Sequence, residues 1–306
     1  MSIESQELVA DVSSKNIIEN NPSSLKRWWR LLWRSKTGTV GLIIVLFACF
    51  IAIFAPVLAP YEPQGINPSN MLKPPFWMEN GSTENILGTD NLGRDILSRI
   101  IYGSQISILV GVLSVVVAGF IGVTLGLISG YFGGIIDNVI MRLVDSFLAI
   151  PTILFALVIL TIFDAGIFTL IMVLGVTNWV NYARLVRGEV LTIKERDYVK
   201  AAHSIGVSNF KIITRHLLPN IISSFIVIST LSVATTIILE ASLSFLGLGV
   251  QPPTVSWGSI LSDGRDYLST SWWLATFPGI AITITVLGII FLGDWLRDIL
   301  DPKTQK

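Results

Sequence analysis

The sequence is short of charge, of cysteine and of histidine, and each shortage closes a route. Charged residues fill 14% of the 306 positions, against 52% hydrophobic ones. A water-soluble domain of this length needs a far more charged surface, so the chain reads as one that lives in lipid. Lysine plus arginine number 21 and aspartate plus glutamate 21, a balance that gives no case for a nucleic-acid partner. The one cysteine, Cys49, lies inside an apolar run and has no second thiol for an intrachain disulfide. His203 and His216 stand apart with no thiolate near either, so no metal site is expected. There is no Gly-x-x-x-x-Gly-Lys-Ser/Thr phosphate loop, which excludes ATP binding by that route. Nor is there a His–Glu cluster or a Ser/Lys dyad, and no catalytic residue is expected.

What the sequence does have is six uncharged runs, at 40–58, 106–129, 146–163, 165–183, 221–239 and 274–293. Each holds about 18–24 residues, and at about 1.5 Å per residue that covers a hydrocarbon core of about 30 Å. They predict an all-α polytopic membrane protein with six transmembrane helices. Asp164 alone parts the third run from the fourth, which predicts a tight helical hairpin. Pro151 and Pro278 fall inside runs, where neighbouring groups can satisfy the freed carbonyls. Ahead of the first run, residues 1–24 are polar, and 26–36 interleave Trp28, Trp29 and Trp33 with basic side chains, as a helix at a lipid headgroup boundary requires. No small-x-small cleavage site follows the first run, so that helix is read as retained.

The basic residues set the orientation. With the N-terminus inside, all 21 lie in cytoplasmic segments except Lys73, Arg94, Arg99 and Arg265. Both termini are therefore expected in the cytoplasm. The chain divides into a cytoplasmic lead (1–38), a first helix (39–59), an external loop (60–105), a five-helix core (106–296) and a tail (297–306). Within the core fall a cytoplasmic loop at 184–220 and an external one at 246–273. In the second run Ala118, Gly122, Gly126 and Gly130 recur at four-residue steps, a face on which another helix of this chain is expected to pack closely.

The cytoplasmic loop is too long to be a mere connector. It splits at Gly206 into two short helical stretches, the first carrying Ala201 and Ala202 and the second capped by Ser208. Phe210 and Ile213 offer apolar knobs, and Pro219 suits the first turn of the fifth membrane helix. Small residues followed by glycine let another protein approach closely. Asp197 is placed to supply an acid on the face of Lys200. In the outer loop, Asp90 can cap a helix whose Arg94 and Arg99 meet the interface. Glu240 sits late in its run, near the outer end; it reads either as a cavity-lining acid or as an interface residue packed against the external loop. Asp145 is expected to pair with Arg142.

Three strings carry a resemblance. Ala201-Ala202, then Gly206, then His216-Leu217-Leu218-Pro219 resemble the "EAA" loop of ABC importer permeases, with Lys200 where that family has glutamate. The run LGTDNLGRD at 87–95, with Gly88, Asp90, Gly93, Arg94 and Asp95, resembles a signature of the C-type permease subunit of dipeptide, oligopeptide and nickel importers. EASLSFLGLGVQPPTVSWG at 240–258 is similar to the same subfamily's segment after the fifth span. The resemblance implies a type I importer permease (MetI-like) fold in a bacterial cell membrane. It further implies a coupling helix, around Asp197, Lys200, Ala201, Ala202, Gly206, Phe210, Leu218 and Pro219, that docks on an ATPase subunit. The implied partners are a homologous B-type permease, two ATP-binding subunits that use ATP and Mg, and an external solute-binding protein. The cargo implied is a peptide, with nickel or a glutathione-like molecule as alternatives. An ion-coupled secondary carrier is the rival class, and it would place ionisable residues mid-span, where the six runs have none.

Overall fold

The computed structural model describes residues 35–163 and 166–300, and within them it is helical throughout its regular structure. In chain order the helices are α1 (Lys36–Ile53), α2 (Ala55–Leu58), α3 (Ile96–Phe132), α4 (Gly134–Leu148), α5 (Thr152–Ile162), α6 (Ile167–Ile193), α7 (Asp197–Ser204), α8 (Asn209–Ile212), α9 (Leu218–Phe245), α10 (Trp257–Gly264) and α11 (Trp273–Leu300). One wide turn, Ile213–Leu217, joins α8 to α9 without a break in the helical rod. The aromatic lead at 26–34, the Asp164 turn and the tail from 301 lie outside the described residues.

Four stretches are long and apolar enough to cross a membrane: α1, α3, the α8–α9 rod and α11. A fifth follows if α4 and α5 count as one broken span, but the two meet at 88°. The expected straight run at 146–163 is therefore corrected. Pro151 is not inside a span; it is the cap residue that starts α5. Its ring disfavours helical backbone at Ile150, and the chain turns there. The fourth expected run, at 165–183, falls in the first part of α6, whose later turns carry Asn178, Asn181, Arg184, Arg187 and Glu189 and dilute its apolar length. Pro278, by contrast, lies within α11 as expected.

The small-residue face of α3 meets α6. A Cβ placed on Gly126 would come within 2.7 Å of the Ala183 carbonyl oxygen, and one on Gly130 within 2.8 Å of Val190 Cβ. Gly175 of α6 lies against Val117 and Ser114 of α3. Contacts at 114–117 with 175, 126 with 183–186 and 130 with 187–190 advance together along both chains, so α3 and α6 run parallel. α9 runs against α3: Gly111 abuts Ile237 and Gly119 abuts Phe225. α1 lies antiparallel on α11, where a Cβ on Gly41 would come within 2.6 Å of the Leu292 nitrogen, so α1 begins beside the end of α11. The interior divides into apolar clusters, one around Ile237, Trp257, Ile260 and Leu274 at one end and one around Val186, Val190, Val199, Ile212 and Ile221 at the other.

Candidate functional site

The loop between α6 and α9 is a two-helix handle. α7 buries Val199 and Ala202 and leaves Asp197, Lys200 and Ala201 exposed. Gly206 has φ +82°, and a Cβ there would meet nothing within 4 Å. That left-handed backbone is open to glycine at little cost, and it turns α7 into α8. Ser208 occupies the cap of α8 in extended conformation, though its hydroxyl makes no capping bond. Ile205 and Phe210 stand 80% and 75% exposed on either side of the bend. Ile213 is instead half-buried, packed with Leu218 and Val207 against the inner cluster, so the knobs are Ile205 and Phe210 rather than Phe210 and Ile213. Pro219 lies in the first turn of α9, as expected.

The handle is rooted on the bundle. Tyr131 donates its hydroxyl to Asn209 Oδ1 at 2.8 Å, and Lys194 Nζ donates to the Gly130 carbonyl at 2.8 Å. Between the two elements lies a groove of about 600 Å³, lined by Tyr131, Lys194, Glu195, Lys200, His203 and Asn209 among others. The acid that meets Lys200 is Glu195, at 2.9 Å, and not Asp197. Glu195 lies ahead of the helix, where the chain bends back; the Lys200 ammonium beside it holds its carboxyl below the usual carboxylate range. Asp145 likewise pairs with Arg184, at 2.9 Å, and not with Arg142. Arg187 grips Asp137 with two nitrogens, each at 2.6 Å, tying α4 to α6.

At the other end of the bundle the LGTDNLGRD string folds into a buried ionic knot. Asp90 does not cap α3; Asp95 does, accepting the Ser98 amide at 2.8 Å. Asp90 is fully buried and accepts the amides of Leu92 and Arg94, each at 2.9 Å, the Arg94 Nε at 2.6 Å and Arg99 Nη1. Arg94 and Arg99 do not face an interface; each also reaches Asp263 of α10, at 3.0 and 2.8 Å. Gly88 and Gly93 take φ +82° and +74°, which tight turns at those places require. Asp263 was missed in the sequence because it stands far from the string; only the fold brings it there.

Glu240 is wholly buried, in the last turns of α9. It accepts the hydroxyls of Ser107, at 3.1 Å, and Ser244, at 2.7 Å. Its hydrogen-bond partners lie on α3 and on its own helix, and Gly258 closes on Ala241, next to Glu240. No lysine or arginine pairs with it among the described residues. No cluster of three or more metal-binding side chains occurs among them either.

Apolar helices long enough to cross a membrane, packed into a bundle with a two-helix handle at one end, make this an integral membrane protein. Residues 122–306 match the family of binding-protein-dependent transport system inner membrane components, and residues 23–75 match the N-terminal membrane domain of oligopeptide transport permease C. The chain belongs to the binding-protein-dependent transport system inner membrane component family and is a multi-pass protein of the bacterial inner membrane. It is 45% identical to the dipeptide transport system permease protein DppC of Escherichia coli K12, over 92% of this chain and 94% of that one. It is 42% identical to the di/tripeptide transport system permease protein DppC of Pseudomonas aeruginosa, over 93% and 94%. The oligopeptide transport system permease protein OppC of Bacillus subtilis is 41% identical, over 92% of each chain. Among solved structures, the inward-facing MetNI methionine ABC transporter matches with a TM-score of 0.55 at 19% identity, covering 66% of this chain and 96% of that one. That likeness speaks for the fold alone, and the fold is the type I importer permease fold expected.

Proposed function

We propose that this chain is the C-type permease subunit of an ATP-driven importer of di- and oligopeptides. It forms the pathway with a homologous B-type permease, receives cargo from an external solute-binding protein and is driven by two ATP-binding subunits that use ATP and Mg. The chain itself takes no cofactor in this reading. The observation that carries it is the α7–Gly206–α8 handle, with Ile205 and Phe210 exposed on a base fixed to the bundle core. An ATPase that grips such a handle can bias a two-state bundle, because a push there is transmitted through buried contacts and not through a free loop. The names of the relatives support peptide as cargo.

The same reading has six crossings with both ends of the bundle chain on one face. The parallel run of α3 and α6 supports the third crossing: the chain between them must return to the starting face, and α4 and α5 are the helices between them. The exposed stripe of Phe210 makes the decisive test clean, since its removal leaves no cavity. Phe210→Asp, and separately Ile205→Asp, are expected to keep wild-type membrane levels while uptake of a labelled dipeptide falls by about thirtyfold, as loss of about 2 kcal/mol of docking implies. Co-purification of the ATP-binding subunits should fall in parallel. Wild-type uptake by both variants would sink the coupling role.

A further inference from the structure

At the end of the bundle that carries the ionic knot, α9, α10 and α11 leave an open groove of about 420 Å³ between them. Its walls are Ile238, Phe245 and Leu246 from α9 and its cap, Leu261 of α10 and Ile282 of α11. Ile238 and Leu246 stand 46% and 51% exposed. The polar side chain in the lining is Ser242, and its hydroxyl is spent on the Ile238 carbonyl of its own helix, at 2.8 Å. A peptide backbone in such a groove would leave amides and carbonyls unmet, which is costly. A hydrocarbon chain asks for no partner there. The floor is open as well. A Cβ on Gly279 of α11 would find Leu261 alone, at 4.0 Å, whereas one on Gly258 or Gly264 would strike backbone.

The mouth of the groove is charged. The Arg265 guanidinium stands over the ring of Phe245, 5.9 Å from its centroid. Arg265 meets Asp266 at 3.4 Å, long for a charge-assisted bond, and both side chains are more than half exposed. A cation and an anion thus stand side by side, each with bonding capacity left over. Tyr267 and Trp272 follow in the same loop, and such rings favour the headgroup level of a membrane. Both α9 and α11 belong to stretches long enough to cross one. Ile238 lies two helical turns below Phe245, so the groove runs about 10 Å from that level into the hydrocarbon layer.

We propose that this groove binds one zwitterionic phospholipid, with an acyl chain between α9 and α11, the headgroup phosphate on Arg265 and the headgroup ammonium on Asp266. The guanidinium fork suits a phosphate, and the neighbouring carboxylate suits an amine that an anionic headgroup lacks. The site needs a chain that spans a membrane and does not rest on which cargo the importer carries.

Thiol protection reads the site. The full chain carries Cys49→Ser and Ser242→Cys and is extracted in detergent with the subunits that accompany it. Alkylation at position 242 should be lost when phosphatidylethanolamine is added and return when the lipid is washed out. Phosphatidylglycerol, which lacks the amine, should protect only at higher concentration. Arg265→Gln should raise the half-protecting concentration of phosphatidylethanolamine about fivefold, the usual worth of one basic residue at a headgroup. Asp266→Asn should erase the preference between the two lipids. Gly279→Phe, which fills the groove from α11, should release one phospholipid from the chain in native mass spectrometry. Alkylation that ignores lipid overturns the proposal, as does equal protection by both lipids in the parent chain. Protection by a dipeptide and not by lipid would overturn it in favour of a cargo subsite.

Discussion

Arg99 shows what a single buried charge does in this chain. Its two terminal nitrogens serve different carboxylates, Asp90 and Asp263, while Arg94 bridges the same pair. Arg99→Ala should destabilise the fold by about 3–5 kcal/mol, since Asp90 is left buried with one of its cations gone. Arg99→Lys should rescue little, because an ammonium on a flexible stem cannot span two acceptors as a planar guanidinium does. Thermal unfolding in detergent reads both. Lys200 is the contrast. It is exposed, as is its partner Glu195, so Lys200→Ala should shift stability by less than about 1 kcal/mol. Any loss of uptake in that variant then belongs to ATPase docking and not to folding. The sequence made Lys200 conspicuous but not its partner: helical spacing pointed to Asp197, and the bend ahead of α7 brought Glu195 instead.

Between elements, the α3–α6 contact is the tightest feature of the core and the easiest to damage. Gly126 faces the Ala183 carbonyl and Val186 at under van der Waals distance for any added carbon. Gly126→Leu should therefore cost at least about 1–3 kcal/mol by overpacking and lower the steady-state membrane level. Gly188, on the same α6 but with nothing within 4 Å of an added Cβ, should accept leucine with no loss of stability. The four-residue recurrence of Ala118, Gly122, Gly126 and Gly130 made this face readable in advance, because close helix approach needs small residues in register. The break between α4 and α5 was not readable from hydropathy. An apolar run looks the same straight or bent, and in the 88° turn α4 lays Val144 and Phe147 against Trp179 and Val180 of α6.

The whole molecule has two unlike ends, an ionic knot at one and an exposed handle at the other. With Cys49→Ser as background, Ser82→Cys should label from outside intact cells and Ser204→Cys only after the inner face is opened. Equal access from one side would reverse the orientation drawn from Lys73, Arg94, Arg99 and Arg265. The antiparallel pairing of α1 with α11 places residue 38 beside Trp295, as two ends on one face require.

By itself, the sequence determined that the chain is a helical membrane protein, where its handle bends and which family its strings resemble. Those are local properties: apolar length, a glycine that must be left-handed, small residues at helical spacing, and short motifs. Only the tertiary structure decided who meets whom. Asp263 joining Asp90 through the two arginines from across the chain, Glu195 displacing Asp197, and Ser107 reaching Glu240 are contacts between residues that no period relates. A buried charge takes whatever donor the packed backbone delivers, and that is settled by the fold.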